Sequence, residues 1–292
     1  MIYDVTHVTS YLYETPVASA RCALRLLPRD DAGQSVLTSR IDISPQARIS
    51  PERADFFGNR RCEAQIDAPH KKLEITLRAR VRVERAPPPA AALTPAWEDT
   101  QAAALACASL DARAPAHFLY PSRLAPLDDA ITEYARESFS PRRPILEAAH
   151  ALSARIHADF AYDSDATDMD TLLAEAFAAR KGVCQDFTHI MIAGLRGLGL
   201  PAAYVSGYLR TIPPPGKPRL EGADATHAWV SVWTDPEWGW RDLDPTNAMA
   251  AGDDHIVAAR GRDYADVAPV DGVIRAAGGQ DLSVRVDVRE IG

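Results

Sequence analysis

Cysteine is scarce in this sequence, and no two cysteines stand close together. Cys22, Cys62, Cys107 and Cys184 are scattered singly among 292 residues, with no CxxC spacing. That excludes a disulfide framework and a sequence-local zinc site. A chain able to bury a sizeable core needs no covalent staples, so all four read as reduced thiols. Long apolar runs are absent too. No segment approaches the roughly 18 uninterrupted apolar residues that a spanning helix needs. The opening stretch, MIYDVTHVTSYLYETPV, has neither a positive n-region nor an apolar h-region. The expectation is a cytoplasmic protein with no membrane partner. A basic excess is also missing, since 32 Lys and Arg face 40 Asp and Glu for a net charge of -8. Without spare cations to displace counterions, nucleic acid is not expected as a partner. No acidic loop has calcium-ligand spacing. No metal or other cofactor is expected.

What is present is an ordinary globular composition, 47% hydrophobic and 25% charged, on a chain long enough for two domains. Residues 1–85 read as strands. The run Leu73 to Val83 alternates apolar and polar residues without error, the pattern of a half-exposed antiparallel strand. Gly58-Asn59 marks a turn before a strand at Cys62 to Ile66. The reading is an N-terminal β-sandwich domain over 1–85 and a stiff Pro/Ala linker over 86–95. Residues 96–292 then form a helical lead-in, a catalytic core and a C-terminal strand. Helices are expected at Ala102 to Ala114, Asp128 to Ser138, Ile145 to Phe160 and Thr171 to Arg180. Another begins near Cys184, with Phe187, Ile190, Met191, Leu195 and Leu198 on one face. Strands follow at Ala203 to Arg210, His227 to Trp233 and Trp240 to Asp244. A proline-rich loop, Ile212 to Pro218, is expected to overhang them. The fold class is therefore α+β, a cysteine-bearing helix packed on an antiparallel sheet.

A thiol nucleophile needs a base to manage its proton and a third group to orient that base. Cys184 follows a glycine break and opens a helix. There the free N–H groups and positive dipole end favour a thiolate and can later hold an oxyanion. If Trp233 pairs with Trp240 in a regular hairpin, Trp229 falls opposite Asp244 and His227 opposite Thr246. His227 and Asp244 then become diagonal neighbours on one face, with Asp242 one step further away. A bulge would change that register, so both carboxylates stay open on geometry. The N-terminus of the Cys184 helix is expected to pack against that face. Trp229 is a candidate wall of the thiol pocket. His189, His255 and Asp186 read as structural residues, and Arg262, Asp263 and Tyr264 as either an internal cluster or substrate-facing groups.

These residues resemble the transglutaminase-like superfamily. Gly182-Val183-Cys184-Gln185-Asp186-Phe187, Gly199-Leu200-Pro201-Ala202 and Val205-Ser206-Gly207-Tyr208-Leu209 look like its nucleophile helix and first strand. His227-Ala228-Trp229-Val230 and Asp244-Pro245-Thr246-Asn247 are similar to its base and acid motifs. Gly261-Arg262-Asp263-Tyr264-Ala265-Asp266-Val267 with Pro269 resembles the tail block of the bacterial branch. His7, Thr9, Tyr11, Tyr13, Pro16-Val17 and Phe57-Gly58-Asn59 resemble that branch's β-rich N-terminal domain. The resemblance implies a papain-like core with Cys184, His227 and Asp244 as its triad. It also makes Tyr162 a candidate oxyanion partner. Ser231 departs from the bacterial pattern, which usually has an acidic residue there.

The implied chemistry is acyl transfer on a peptide or protein amide through a thioester, with water as acceptor in a peptidase or amidase. An amine acceptor would make the same site a transglutaminase. A binding protein that keeps the fold without the activity is the competing class. A β-sandwich module, with residues 1–85 alone binding the partner, is a third.

Overall fold

The computed structural model describes residues 1–168, 171–211, 225–275 and 278–292. The proline-rich segment 212–218 lies outside the described residues. Strands come first: β1 (Ile2–Val17), β2 (Ser19–Leu24), β3 (Gln34–Ser44), β4 (Arg48–Ile49), β5 (Arg53–Ala54), β6 (Arg60–Ile66) and β7 (His70–Val83). Helices α1 (Trp97–Ala106), α2 (Asp129–Arg136) and α3 (Ile145–Asp159) follow. The short strands β8 (Ala161–Tyr162) and β9 (Lys181–Gly182) flank α4 (Leu173–Ala179) and pair in parallel. Helix α5 (Cys184–Gly197) leads into β10 (Ala202–Leu209), β11 (Ala225–Trp233), β12 (Trp240–Asp244), β13 (Met249–Ala250) and β14 (His255–Gly261). Last come α6 (Tyr264–Val267), β15 (Val270–Arg275) and β16 (Gln280–Glu290). Among the described residues, no helix is long and apolar enough to cross a membrane.

The alternation read in Leu73 to Val83 is realised in β7, where Leu73, Ile75, Leu77, Val81 and Val83 are all buried. They face the same apolar cluster as Ala20, Cys22 and Leu24 of β2 and Ala64 and Ile66 of β6. Two antiparallel sheets therefore enclose one core, ordered β16-β1-β7-β3 and β15-β2-β6-β4. Residues 1–85 do not complete these sheets. Strand β16 pairs with β1 from Tyr3↔Glu290 to Tyr13↔Gln280, and β15 pairs with β2 from Val270↔Leu24 to Arg275↔Ser19. Without them β1 and β2 would each present a row of unpaired backbone groups. The unit that begins the chain is thus closed by residues that the boundary at 85 assigns to the other domain.

The lead-in helices fall near their expected places except the first. The helix expected over Ala102 to Ala114 spans Trp97–Ala106 instead. Ser109 and Asp111 bind each other's local groups, Ala114 N–H reaches Asp111 O, and Pro115 disfavours helical geometry in the residue before it. Trp97 anchors the true start, its ring set edge-on against Phe139 and its backbone N–H on Arg143 O.

The second sheet system is antiparallel, ordered β13-β12-β11-β10-β14, with α5 along one face. Phe187, Ile190, Met191 and Leu195 pack there with Tyr204, Ala228, Val230 and Val232. Two amides join the units. Gln34 exchanges two hydrogen bonds with the Val257 backbone, and Asn59 exchanges two with the Arg260 backbone, all at 2.8 Å. The Phe57-Gly58-Asn59 turn is therefore a docking device between the sheets.

Candidate active site

Cys184 is the first residue of α5 and half-buried. The Asp186 carboxylate caps the helix: its Oδ2 accepts from Val183 N–H at 2.8 Å and from the Thr167 hydroxyl at 2.7 Å. Gly182 makes room for this, because a Cβ there would sit 2.4 Å from Asp186 Oδ2. With Asp186 engaged behind it, the first-turn N–H groups of Cys184 and Gln185 have no intrahelical acceptor and point outward from the helix end. Tyr162 pairs with Gly182 across β8 and β9 and is 60% exposed. Burial raises the pKa of its hydroxyl and the nearby Cys184 sulfur adds to the effect. The same two causes act on Tyr264, whose ring lies 6.2 Å from that of Tyr204.

The hairpin register is the expected one, with Trp233↔Trp240, Val232↔Arg241, Ser231↔Asp242 and Val230↔Leu243. His227 Nε2 lies 2.8 Å from Asp244 Oδ2. That leaves Nδ1 to face Cys184, which lies close enough to act on the charge of the ring. The body of α5 lies on the face of Ala228, Val230 and Val232, opposite the positions of His227, Trp229 and Ser231. Sulfur and imidazole meet because His227 sits near the start of its strand, beyond that packed face. Burial alone would favour neutral imidazole, but the Asp244 hydrogen bond and the neighbouring Cys184 prevail and push His227 up to about 10. Asp244 is fully buried. Burial would raise its carboxyl, yet donors from His227, His255 and Asn247 hold it well below the usual carboxylate range. The imidazolium is thus the favoured form at neutral pH, directly beside the sulfur.

Asp242 answers a different partner. Arg260 of β14 grips both its oxygens at 3.0 and 2.8 Å, and Ser231 and Trp229 donate to it at 2.6 and 3.1 Å. Arg260 also reaches Asp31 at 2.6 Å, so one buried guanidinium ties the two units together. Asp242 is thus fully engaged away from His227, and of the two carboxylates Asp244 is the one that bonds the imidazole. It also places Ser231. An acidic side chain there would directly oppose Asp242 in the ladder, where like charges repel; the serine hydroxyl donates instead.

Trp229 is fully buried and its N–H is held by Asp242, so it walls the imidazoles of His227 and His255 rather than an open thiol pocket. His189 accepts from Tyr264 N–H at 3.2 Å, and burial lowers its pKa to about 4, fixing it as a neutral packing residue. Arg262 pairs with Asp266, and Asp263 accepts from Leu124 and Ala265 N–H groups, an internal cluster. His255, expected as a structural residue, sits against the site. Its Nε2 lies 3.1 Å from the same Asp244 oxygen that His227 uses. Its place just before the Gly-Arg-Asp-Tyr block was the only signal available. Beside the α5 N-terminus opens a cleft of about 500 Å³, lined by Gln185, Tyr264, Leu124, Arg123, Leu172 and Asp271 among others.

Comparison with known proteins gives a consistent picture. Residues 3–82 match the bacterial transglutaminase-like N-terminal region, and residues 132–245 match the transglutaminase-like superfamily core. An uncharacterized protein of Mycobacterium tuberculosis is 42% identical over 275 residues, spanning 93% of this chain and 87% of that protein. An uncharacterized protein of Mycobacterium leprae is 30% identical over 293 residues, spanning 98% of both. A protein-glutamine gamma-glutamyltransferase of Pseudomonas aeruginosa is 37% identical over 97 residues, 32% of this chain and 14% of that protein. The crystal structure of a candidate cysteine protease from Cytophaga hutchinsonii superposes with a TM-score of 0.77 at 19% identity, covering 99% of this chain and 90% of that one. At that identity the likeness speaks for the fold.

Proposed function

Because the chain belongs to the transglutaminase-like superfamily, with its bacterial N-terminal region, we propose that it is a thiol enzyme acting on amide bonds, with Cys184 as nucleophile, His227 as base and acid, and Asp244 as orienter. The observation that carries this is one buried imidazole held between a carboxylate and a thiol at a helix N-terminus. The sulfur of Cys184 attacks the amide carbonyl, and the new C–S bond forms as the oxygen takes negative charge. First-turn N–H groups of α5, with the Tyr162 hydroxyl at the rim, are suited to receive that charge. The C–N bond then breaks, and the His227 Nδ1 proton goes to the departing amine. Water gives a proton back to His227 as its oxygen attacks the thioester carbonyl; the C–S bond then breaks, releasing the acid and restoring the Cys184 sulfur beside protonated His227. No metal or cofactor enters these steps. The 500 Å³ cleft beside Gln185 and Tyr264 suits an extended peptide segment.

An amine in place of water would make the same intermediate transamidate. The local similarity to a protein-glutamine gamma-glutamyltransferase favours keeping that acceptor in view. Water is preferred because no amine subsite is evident among the described residues.

The deciding experiment is iodoacetamide alkylation against pH on the native protein and a Cys184→Ala variant. A fast phase that persists below neutrality and vanishes in the variant supports an activated thiolate. A Cys184 that alkylates no faster than a free thiol would sink the enzyme reading in favour of a binding protein. Peptide amides with and without added primary amine then divide hydrolysis from transamidation by product mass.

A further inference from the structure

We infer that His255 is a positioning residue for this site: it braces the Asp244 carboxylate so that the carboxylate stays aimed at His227. The inference rests on the proposed roles of Cys184, His227 and Asp244, and goes beyond them to a second imidazole.

Asp244 Oδ2 accepts from His227 Nε2 at 2.8 Å, Asn247 Nδ2 at 2.7 Å and His255 Nε2 at 3.1 Å. Its Oδ1 accepts from the N–H groups of Thr246 at 2.9 Å and Asn247 at 3.2 Å. Apart from His227, every donor but His255 belongs to the turn that immediately follows Asp244. These donors move with it. His255 alone ties the carboxylate to β14, which β11 and β10 separate from Asp244's own strand β12. The approach is possible because β10 carries Gly207 between them, paired with His227 on one side and Val257 on the other. A Cβ at Gly207 would meet Ile256 O at 2.1 Å and the Trp229 ring at 2.6 Å. The glycine lets the Trp229 ring reach both imidazoles, tilted 30° to His227 at 6.1 Å and edge-on to His255 at 5.2 Å.

The tautomer follows from the backbone. Gly252 N–H donates to His255 Nδ1 at 3.2 Å, so the ring's proton is on Nε2, facing Asp244. The turn itself is clamped: Arg85 Nε and Nη2 donate to Gly252 O and His255 O at 3.1 and 2.8 Å, and Asp253 accepts from Arg85 N–H. From α3, Ser153 donates to Asp244 O and His157 meets Thr246 O. His255 is fully buried, where an apolar side chain would pack more simply than a ring needing two partners.

Two imidazoles and a carboxylate with ligand atoms within 4.8 Å of one another also form a possible metal set. That reading fits less well. A metal on Nε2 would move the His255 proton to Nδ1, directly against the Gly252 N–H. The proton bridge satisfies every atom as it stands.

The test compares His255→Phe, which fills the space without a donor, with His255→Gln, whose amide nitrogen can occupy the Nε2 position. In His255→Phe, Asp244 loses a buried donor and protonates more readily. The acid limb of Cys184 alkylation should therefore move up by about one pH unit, which lowers the rate at a fixed pH on that limb by up to about tenfold. His255→Gln should restore most of both. A carbon-13 titration of the Asp244 carboxyl follows the same change without needing activity. If the wild type shows no activated thiol, the proposed function fails, while this titration still decides the role of His255. Should His255→Phe not fold, nitrogen-15 shifts of the wild-type ring decide it: a proton on Nδ1 overturns the inference, and one on Nε2 with coupling to Asp244 sustains it. A folded His255→Phe with unmoved limb and titration, or a His255→Gln as impaired as His255→Phe, overturns it as well.

Discussion

Replacing Arg260 by Met should destabilise the protein by about 3–5 kcal/mol at neutral pH, and by distinctly less at pH 5. The guanidinium is the cation shared by two buried carboxylates, Asp31 and Asp242, whose side chains are 2% and 9% exposed. Burial would raise both carboxyls, but Arg260 holds each below its ordinary range. Once Arg260 is gone, a carboxylate can escape its buried charge by binding a proton. From an ordinary pKa of about 3.9 that costs roughly 4 kcal/mol per group at pH 7 and roughly 1.5 kcal/mol at pH 5. Two groups set a ceiling of about 8 kcal/mol at pH 7 and about 3 kcal/mol at pH 5. Remaining donors keep the loss below it: Ser231 and Trp229 on Asp242, Ala32 N–H and, at 3.6 Å, Arg113 on Asp31. The sign follows from linkage. In the native protein the depressed carboxyls contribute stability above their unfolded pKa, lost only as pH falls through their low folded values. In the variant the folded values lie above the unfolded ones, so stability falls as pH rises from about 4. Urea melts at pH 5, 6 and 7 should show the gap between the two proteins widening by about 2 kcal/mol or more. Adding Asp31→Asn and Asp242→Asn should recover over half of the loss. A gap that is flat with pH, or smaller than about 1 kcal/mol, would refute the reasoning.

Other outcomes follow from the same contacts. Asp244→Asn should keep the fold but, under the proposed function, lower amide hydrolysis by about 10²–10⁴, read as turnover on a peptide amide, because a neutral amide cannot hold the imidazolium. His227 adds stability that is complete below its unfolded pKa of about 6.5 and lost as pH climbs through about 10. The stability gap to His227→Asn should accordingly shrink in melts taken from pH 6.5 to 10. Gly207→Ala should cost about 1–3 kcal/mol or more and disturb the near-ultraviolet signal of Trp229, since the close neighbour is backbone that cannot yield. Asp186→Ala should cost about 1 kcal/mol in a urea melt through loss of the Val183 cap, with slower alkylation of Cys184.

Much of the site was legible because its parts announce themselves locally. A glycine break before Cys184, a hairpin flanked by Trp233 and Trp240 and an acid at its far end sufficed to bring His227 and Asp244 together. Elements set by distant partners were not legible. Arg260 decides between Asp242 and Asp244, yet it comes 18 residues after Asp242 on another strand. The brace from His255 depends on Gly207 leaving room in β10, a steric fact with no sequence pattern. The register of β15 and β16 on β1 and β2 is likewise non-local, since half-buried strands state their faces but not their neighbours. In α1 the error was local: alanines from 102 onward favour helix anywhere, and only Trp97 packing on Phe139 shows where it starts.

The placement of β15 and β16 has a temporal consequence. During synthesis β1 and β2 emerge early, but their outer partners arrive only after the whole intervening core has been made. At translation rates of about 5–20 residues per second that is a wait of roughly ten to fifty seconds. Throughout it, the edges of β2 and of the long, valine- and tyrosine-bearing β1 are open to other nascent chains. The two units therefore cannot mature one after the other as beads on a string; the first is finished last, and Asn59 and Gln34 find their backbone partners only when β14 has appeared.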